Sequence, residues 1–261
     1  MTHLIRIVCC LIYSTSLIRY CFDGLPCPTI SIQSHPLINF SAIRVTYRSC
    51  TDAPAQSGIY WISPADNAPP FQVYCEQEKF AGQWLVVQSR NDASTNFNRT
   101  WNEYKFGFGN LRNNFWLGLE KLHQLTTSSA YDLMVVMENY LDFVAFQRYE
   151  NFAVRDESEA YSLSLSDANT GTAGDSLLIY NGEKFSTFDR ANNKGTANCA
   201  AEMAGGYWHY DCRKVLSTRS NLNGLYDLDH IMRNGSGMWW GMFGGTGNPL
   251  KLTRMMIKLR Q

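Results

Sequence analysis

Eight cysteines, at positions 9, 10, 21, 27, 50, 75, 199 and 212, constrain this 261-residue chain more than any other feature. None forms a Cys-x-x-Cys pair beside a second such pair or a pair of histidines, and the spacings are far wider than zinc coordination uses, so structural zinc is excluded. The first two cysteines lie in a leader. Residues 1–16 set His3 and Arg6 ahead of the apolar run from Ile7 to Tyr13, with Ser14 and Ser16 at cleavage-like spacing, and read as a secretory signal peptide. Its removal leaves an even six cysteines, the parity an oxidising compartment selects. Arg6, Ser14, Thr15, Ser16 and Arg19 break the apolar stretch well short of the about 18 residues a membrane anchor needs, and no other segment comes closer. Sequons at Asn39, Asn98 and Asn234 are compatible with the same secretory route.

Charge narrows the partners. Lys plus Arg number 23 and Asp plus Glu number 23, so there is no basic field for a phosphate backbone, and nucleic acid is excluded as a partner. Charged residues make up only 18% of the chain, whereas 19 Gly, 14 Tyr, 14 Phe and 7 Trp describe a loop-rich protein held by aromatic packing.

Residues 17–48 show neither heptads nor Gly-X-Y triplets and read as a short tether. From Ser57 to Val87, turn punctuation alternates with brief apolar runs, the pattern of short antiparallel strands. Thr100-Trp101-Asn102-Glu103 is a capping box that starts a helix, and Leu111, Phe115, Leu119 and Leu122 continue at helical spacing, which predicts a helix over 110–125. The β-branched and aromatic runs from Tyr131 to Met137, Phe143 to Val154 and Leu250 to Leu259 predict strands. Between Gly171 and Gly247, Gly, Asn, Asp and aromatic residues dominate, as in a loop-rich binding region.

From about Ser49 to Arg260 the chain resembles the fibrinogen C-terminal domain family. The resemblance rests on Phe97-Asn98-Arg99 with Trp101 and Tyr104, Gly107-Phe108-Gly109-Asn110-Leu111, Phe115-Trp116-Leu117-Gly118-Leu119, Gly171-Thr172-Ala173-Gly174-Asp175-Ser176, Asn198-Cys199-Ala200 and Ser220-Asn221-Leu222-Asn223-Gly224. It implies an α+β fold over 49–261 in three parts. These are a small disulfide-bearing N-terminal subdomain (49–88), a central twisted antiparallel sheet with helices (89–178 plus 250–260), and a loop-rich ligand-binding subdomain (179–249). It implies disulfides Cys50–Cys75 and Cys199–Cys212, each worth roughly 3 kcal/mol by loop-closure entropy. Cys21 and Cys27 are left to pair with each other or to bridge a second chain into a homo-oligomer. It also implies a cis peptide at Asn198-Cys199 or before Cys212.

Three departures from the family pattern bear on the ligand. The family's calcium loop carries carboxylates eight and six residues before the cysteine that here is Cys199, and this chain has Ala191 and Asn193 there. Asp189 is the only acidic side chain near, so the calcium site is degenerate and no cofactor is expected. Arg213 stands where the family places a His after the second cysteine, and Met203 where acetyl-binding relatives place a Tyr. About five residues are inserted within Lys214 to Arg219.

Gly174-Asp175-Ser176-Leu177 with Asp227-Leu228-Asp229-His230 mimics an esterase that pairs a serine nucleophile with an Asp-x-x-His element. Its context is a Gly-rich turn and not the strand-to-helix elbow of a parallel α/β enzyme, so Asp175 and Ser176 read as turn residues and the chain is expected not to be an enzyme. His123 reads as a helix-end histidine. In the aromatic cluster Tyr207, Trp208, His209, Tyr210, Trp239, Trp240 and Phe243 most members read as core. The expected ligand-binding residues are Met203, His209, Tyr210, Arg213 and Trp239, with Arg213 a fork for polar or anionic groups. The resemblance implies secreted, extracellular recognition with a lectin-like innate immune role, the ligands being glycans or cell-surface glycoproteins. The alternative is a protein-binding signalling or adhesion ligand of the angiopoietin-like kind.

Overall fold

The computed structural model describes residues 45–66, 68–213, 218–226, 235–245 and 248–260. The leader, Cys21, Cys27, Asn39, Asn234, residues 214–217 and the Asp227-Leu228-Asp229-His230 run lie outside them. Among the described residues, no helix is long and apolar enough to cross a membrane.

Period-two burial builds the sheet. The strands are β1 (Thr46–Tyr47), β2 (Gly58–Ile62), β3 (Phe71–Glu76) and β4 (Trp84–Arg90). The short pair β5 (Phe108–Gly109) and β6 (Phe115–Trp116) follows, then β7 (Tyr131–Asn139), β8 (Val144–Val154), β9 (Leu163–Ser164) and β10 (Asn169–Gly171). Along β8, Val144, Phe146 and Arg148 face outward while Ala145, Gln147 and Tyr149 are buried, the alternation that a half-solvated strand requires. β4 is buried at all seven positions and β7 at its first seven, because both lie in the middle of the sheet.

The last strand, β13 (Leu250–Leu259), inserts between β4 and β7 in the order β1-β2-β3-β4-β13-β7-β8-β10. Met256 sits opposite Val86 on one side and Met134 on the other, and both pairings are antiparallel. The chain's final strand therefore completes the central core, and Gln88, Ser89 and Arg90 of β4 are carried with it into the interior.

Thr100 caps α1 (Trp101–Phe106) through the full capping box, Thr100 N–H donating to Glu103 Oε2 at 2.9 Å. α2 (Leu119–Ser128) buries Leu119, Leu122 and Leu125 as a stripe facing β8. The predicted helix over 110–125 is thus only half correct. Asn110 to Asn114 form a turn, and Phe115–Trp116 is a strand paired with β4 and β5. Gly109 takes φ 92°, and a Cβ there would lie 2.2 Å from Asn114 O, so the chain doubles back before α2 can begin. Gly118 at φ 116° then starts the helix. Leu111 and Phe115 share a helical spacing without sharing a helix.

Both implied disulfides are present. Cys50 bonds Cys75 of β3 and Cys199 bonds Cys212, with Cα atoms 5.6 and 5.5 Å apart.

Candidate functional site

The region after β10 has little regular structure: a short helix α3 (Cys199–Glu202) and a two-stranded pair, β11 (Ser220–Asn221) with β12 (Trp239–Trp240). Side-chain hydrogen bonds replace a backbone ladder in holding it, and they converge on Ser220 to Gly224. Ser220 Oγ donates to Ser176 O at 2.8 Å, and Tyr180 hydroxyl accepts from Ser220 N–H and donates to Ser220 O. Since the one hydroxyl proton of Ser220 is spent on Ser176, the 3.1 Å contact with Tyr207 is donated by the tyrosine. Burial pushes the Tyr180 and Tyr207 hydroxyls above their usual range and keeps them neutral donors. Asn221 Nδ2 donates to Met203 O at 3.0 Å and Asn223 Nδ2 to Gly206 O at 2.9 Å. From the sheet below, Gln88 Nε2 reaches Leu222 O and Asn223 Oδ1, while Arg90 Nη1 reaches Gly224 O at 2.8 Å. This segment pins the loops around the second disulfide to β4.

On that floor the structure brings two of the expected residues, Met203 and Trp239, together. Met203 ends α3, and a Cβ added at Gly235 would lie 3.3 Å from its sulfur and 3.8 Å from Trp239 Nε1. Trp239 is 6% exposed and donates to Gly235 O at 2.8 Å. Tyr210 is half-buried, with the Lys194 ammonium 5.2 Å and the Arg219 guanidinium 5.6 Å from its ring centre. Arg213 is 65% exposed and ion-paired with Glu202 at 3.2 Å. His209 is 4% exposed and faces inward, its Nε2 donating to Gly205 O at 2.9 Å. Burial, with repulsion from Arg219 added, pushes its pKa down to about 4. Tyr207, Trp208 and Trp240 are core, and the two indoles donate to Tyr161 O and Gly174 O.

The cis peptide implied by the resemblance is absent, since the bonds before Cys199 and Cys212 are trans. Asn198 caps α3 in an ordinary extended conformation, its Oδ1 accepting from Ala201 N–H at 3.1 Å.

The loop where the family places calcium is occupied with itself. Asp189 Oδ1 accepts from Trp101 N–H at 2.9 Å and from Thr187 hydroxyl at 2.7 Å, so this carboxylate serves the N-terminus of α1. Asn193 Oδ1 accepts from Cys199 N–H, and its Nδ2 donates to Lys194 O and Ala197 O. Ala191 offers no side-chain ligand atom, and Lys194 pairs with the buried Glu183 at 2.6 Å. Among the described residues there is no group of three His, Cys, Asp or Glu able to hold a metal. These residues do not fit a calcium ion.

The serine of the esterase-like run is structural. Ser176 is fully buried and its Oγ accepts from Met242 N–H, while Asp175 Oδ1 accepts from Tyr149 hydroxyl and from the N–H groups of Leu177 and Leu178. His230 lies outside the described residues. His123 Nδ1 meets Val154 O at 3.0 Å and ties α2 to β8. The residues that sequence reasoning left without a role are Gln88, Arg90, Tyr180, Arg219 and the side chains of the Ser220 to Gly224 motif. A polar triplet, Gln88-Ser89-Arg90, ending an apolar strand was the one available sign of a buried network.

A family model described as the C-terminal globular domain of fibrinogen beta and gamma chains matches residues 46–260. Human ficolin-3 is 37% identical over 216 residues, covering 81% of this chain and 70% of its own. Bovine microfibril-associated glycoprotein 4 is 37% identical over 218 residues, covering 80% and 84%. Bovine angiopoietin-4 is 38% identical over 203 residues, which span 77% of this chain but only 40% of the angiopoietin. Among solved structures, the fibrinogen-like globe domain of human ANGPTL2 superposes with a TM-score of 0.77 at 37% identity, over 82% of this chain and all of that one. Lamprey fibrin D-dimer, complexed with the peptide ligand Gly-His-Arg-Pro-amide, gives 0.74 at 30% identity, over 82% of this chain and 73% of that one.

Proposed function

The chain belongs to the fibrinogen C-terminal domain family, and from that membership we propose that it is a secreted, non-catalytic recognition protein that binds glycans on microbial or host surfaces. The observation that carries this reading is the stretch closed by the Cys199–Cys212 disulfide, where half-buried Met203, half-buried Tyr210 and exposed Arg213 lie within four residues of one of its two cysteines, with Trp239 buried beneath. Aromatic and thioether groups offer apolar faces that sugar rings stack on, and the arginine adds a directional cation. The Arg213–Glu202 pair is solvent-exposed and worth only about 0–1 kcal/mol, so a ligand carboxylate exchanges for Glu202 at little cost. Acidic saccharides are therefore favoured over neutral N-acetylglucosamine.

The second reading, a protein-binding ligand of the angiopoietin-like kind, is supported by the likeness to the ANGPTL2 globe domain and by a peptide-bound relative of the same fold. A glycan array run beside a panel of receptor ectodomains separates the two. Reproducible binding to acidic glycans that falls with salt and is lost in Arg213→Ala supports the first reading. Silence on the array with a receptor captured supports the second. Elution by free N-acetylglucosamine, unchanged by Arg213→Ala, refutes the acidic preference.

A further inference from the structure

Arg219 precedes β11 and continues its pairing, its carbonyl accepting from Gly241 N–H at 2.7 Å, and Asn221 ends the strand, so the two side chains lie on either side of the core-facing Ser220. Both meet the segment spanned by the second disulfide: Asn221 Nδ2 donates to Met203 O, and Arg219 Nη1 donates to Asp211 O. Arg219 is 5% exposed and Asn221 1%. Arg219 Nε and Nη2, and Asn221 Oδ1, have no hydrogen-bond partner among the described residues, and no carboxylate pairs with Arg219 there.

Arg219 differs from the other incompletely bonded arginines. Arg90 and Arg254 each leave one Nε idle, while Arg254 is paired with Glu76 at 3.1 Å and Arg90 holds main-chain carbonyls. In Arg219 the idle atoms are Nε and Nη2 together, the edge of the guanidinium whose two N–H bonds run parallel and match the two oxygens of a carboxylate. Native interiors rarely leave such groups unmet without a ligand, ion or water to meet them. Asn221 Oδ1, two residues further along the chain, asks for a donor and not for a second anion. A molecule satisfying both atoms carries a carboxylate and, a few ångströms away, a hydroxyl.

We propose that Arg219 and Asn221 form an acid-reading slot, in which Arg219 Nε and Nη2 grip the carboxylate of an acidic sugar and Asn221 Oδ1 accepts from one of its hydroxyls. This rests on the glycan-binding reading above and assigns the grip to Arg219, leaving exposed Arg213 to attract the ligand. Both side chains are buried, so an ion pair formed there is dry and strong. An aspartate or glutamate of a protein partner supplies the carboxylate without the hydroxyl.

The test is NMR of the ¹⁵N-labelled, disulfide-intact protein, with the Arg219 Nε–H signal identified by its loss in Arg219→Lys. Titration with free glucuronate is expected to move the Arg219 Nε–H and Asn221 Nδ2–H signals, glucose to move neither, and Arg219→Lys, which keeps the charge and loses the fork, to weaken glucuronate at least tenfold. Should Arg219→Lys fold poorly, the wild-type titration with glucuronate, glucose and an oligo-glutamate peptide decides alone. Unmoved signals at saturating glucuronate overturn the slot, and a response to oligo-glutamate as strong as that to glucuronate overturns the sugar assignment. Binding of acidic glycans on the array with Arg219 silent leaves the proposed function standing on Arg213 and removes the slot. A glucuronate response with a silent array does the reverse.

Discussion

Replacing Ser220 by alanine removes one hydroxyl from the hub beneath the site, and the structure sets the cost. Ser176 O loses the proton donated at 2.8 Å, and Tyr207 hydroxyl, in a fully buried side chain, loses the acceptor at 3.1 Å. An orphaned buried polar group costs about 1–3 kcal/mol, so with two of them Ser220→Ala is expected to destabilise the domain by about 2–6 kcal/mol. At this size each kcal/mol lowers Tm by roughly 2–4 °C. Tyr207→Phe leaves the Ser220–Ser176 bond intact and forfeits one neutral hydrogen bond, about 0.5–1.5 kcal/mol. In the double variant the tyrosine proton no longer seeks an acceptor, and the total is expected to fall below the sum of the singles by about 1 kcal/mol or more. Urea unfolding of the four proteins with disulfides intact, followed by tryptophan fluorescence, measures the cycle. Additive effects within about 0.3 kcal/mol would refute the idea that these hydroxyls serve each other.

His209 titrates at about 4 when folded against about 6.5 in the unfolded chain, so its stabilising contribution is complete above pH 6.5 and lost as pH falls toward 4. Relative to His209→Gln, wild-type stability is expected to drop by roughly 1.4 kcal/mol per pH unit across that window, and parallel pH profiles would exclude it. Calorimetry up to millimolar calcium is expected to give no stoichiometric heat, because Asp189 and Asn193 are already bonded; a one-site isotherm overturns this. Paired Cys199→Ser and Cys212→Ser substitutions are expected to cost roughly 3 kcal/mol and to abolish ligand binding while β4, β7 and β13 keep their amide protection. Loss of protection in those strands would mean that the second disulfide organises the whole fold.

Sequence reading succeeded where the interactions are local. The Thr100–Glu103 capping box closes over four residues, and the β-branched and aromatic runs placed strands where β7, β8 and β13 lie. It failed over 110–125, where Leu111 and Phe115 kept a helical spacing but Gly109 reversed the chain between them and α1. Family motifs carried the two disulfides, whose partners are separated by 25 and 13 residues, beyond what spacing by itself could pair.

The site divides along the same line. That Met203, Tyr210, Arg213 and Trp239 belong to one loop-rich region was readable from their types and from the turn-forming residues around them. Only the folded chain decided that His209 turns inward to Gly205, that Asp189 is spent on α1 some 88 residues away, and that Arg219 keeps an idle edge. Those outcomes depend on partners brought together when β13 slides between β4 and β7 and carries Gln88 and Arg90 under the Ser220 to Gly224 segment. A sequence states which donors and acceptors each residue owns, and burial in a tertiary structure decides which of them meet and which are left over.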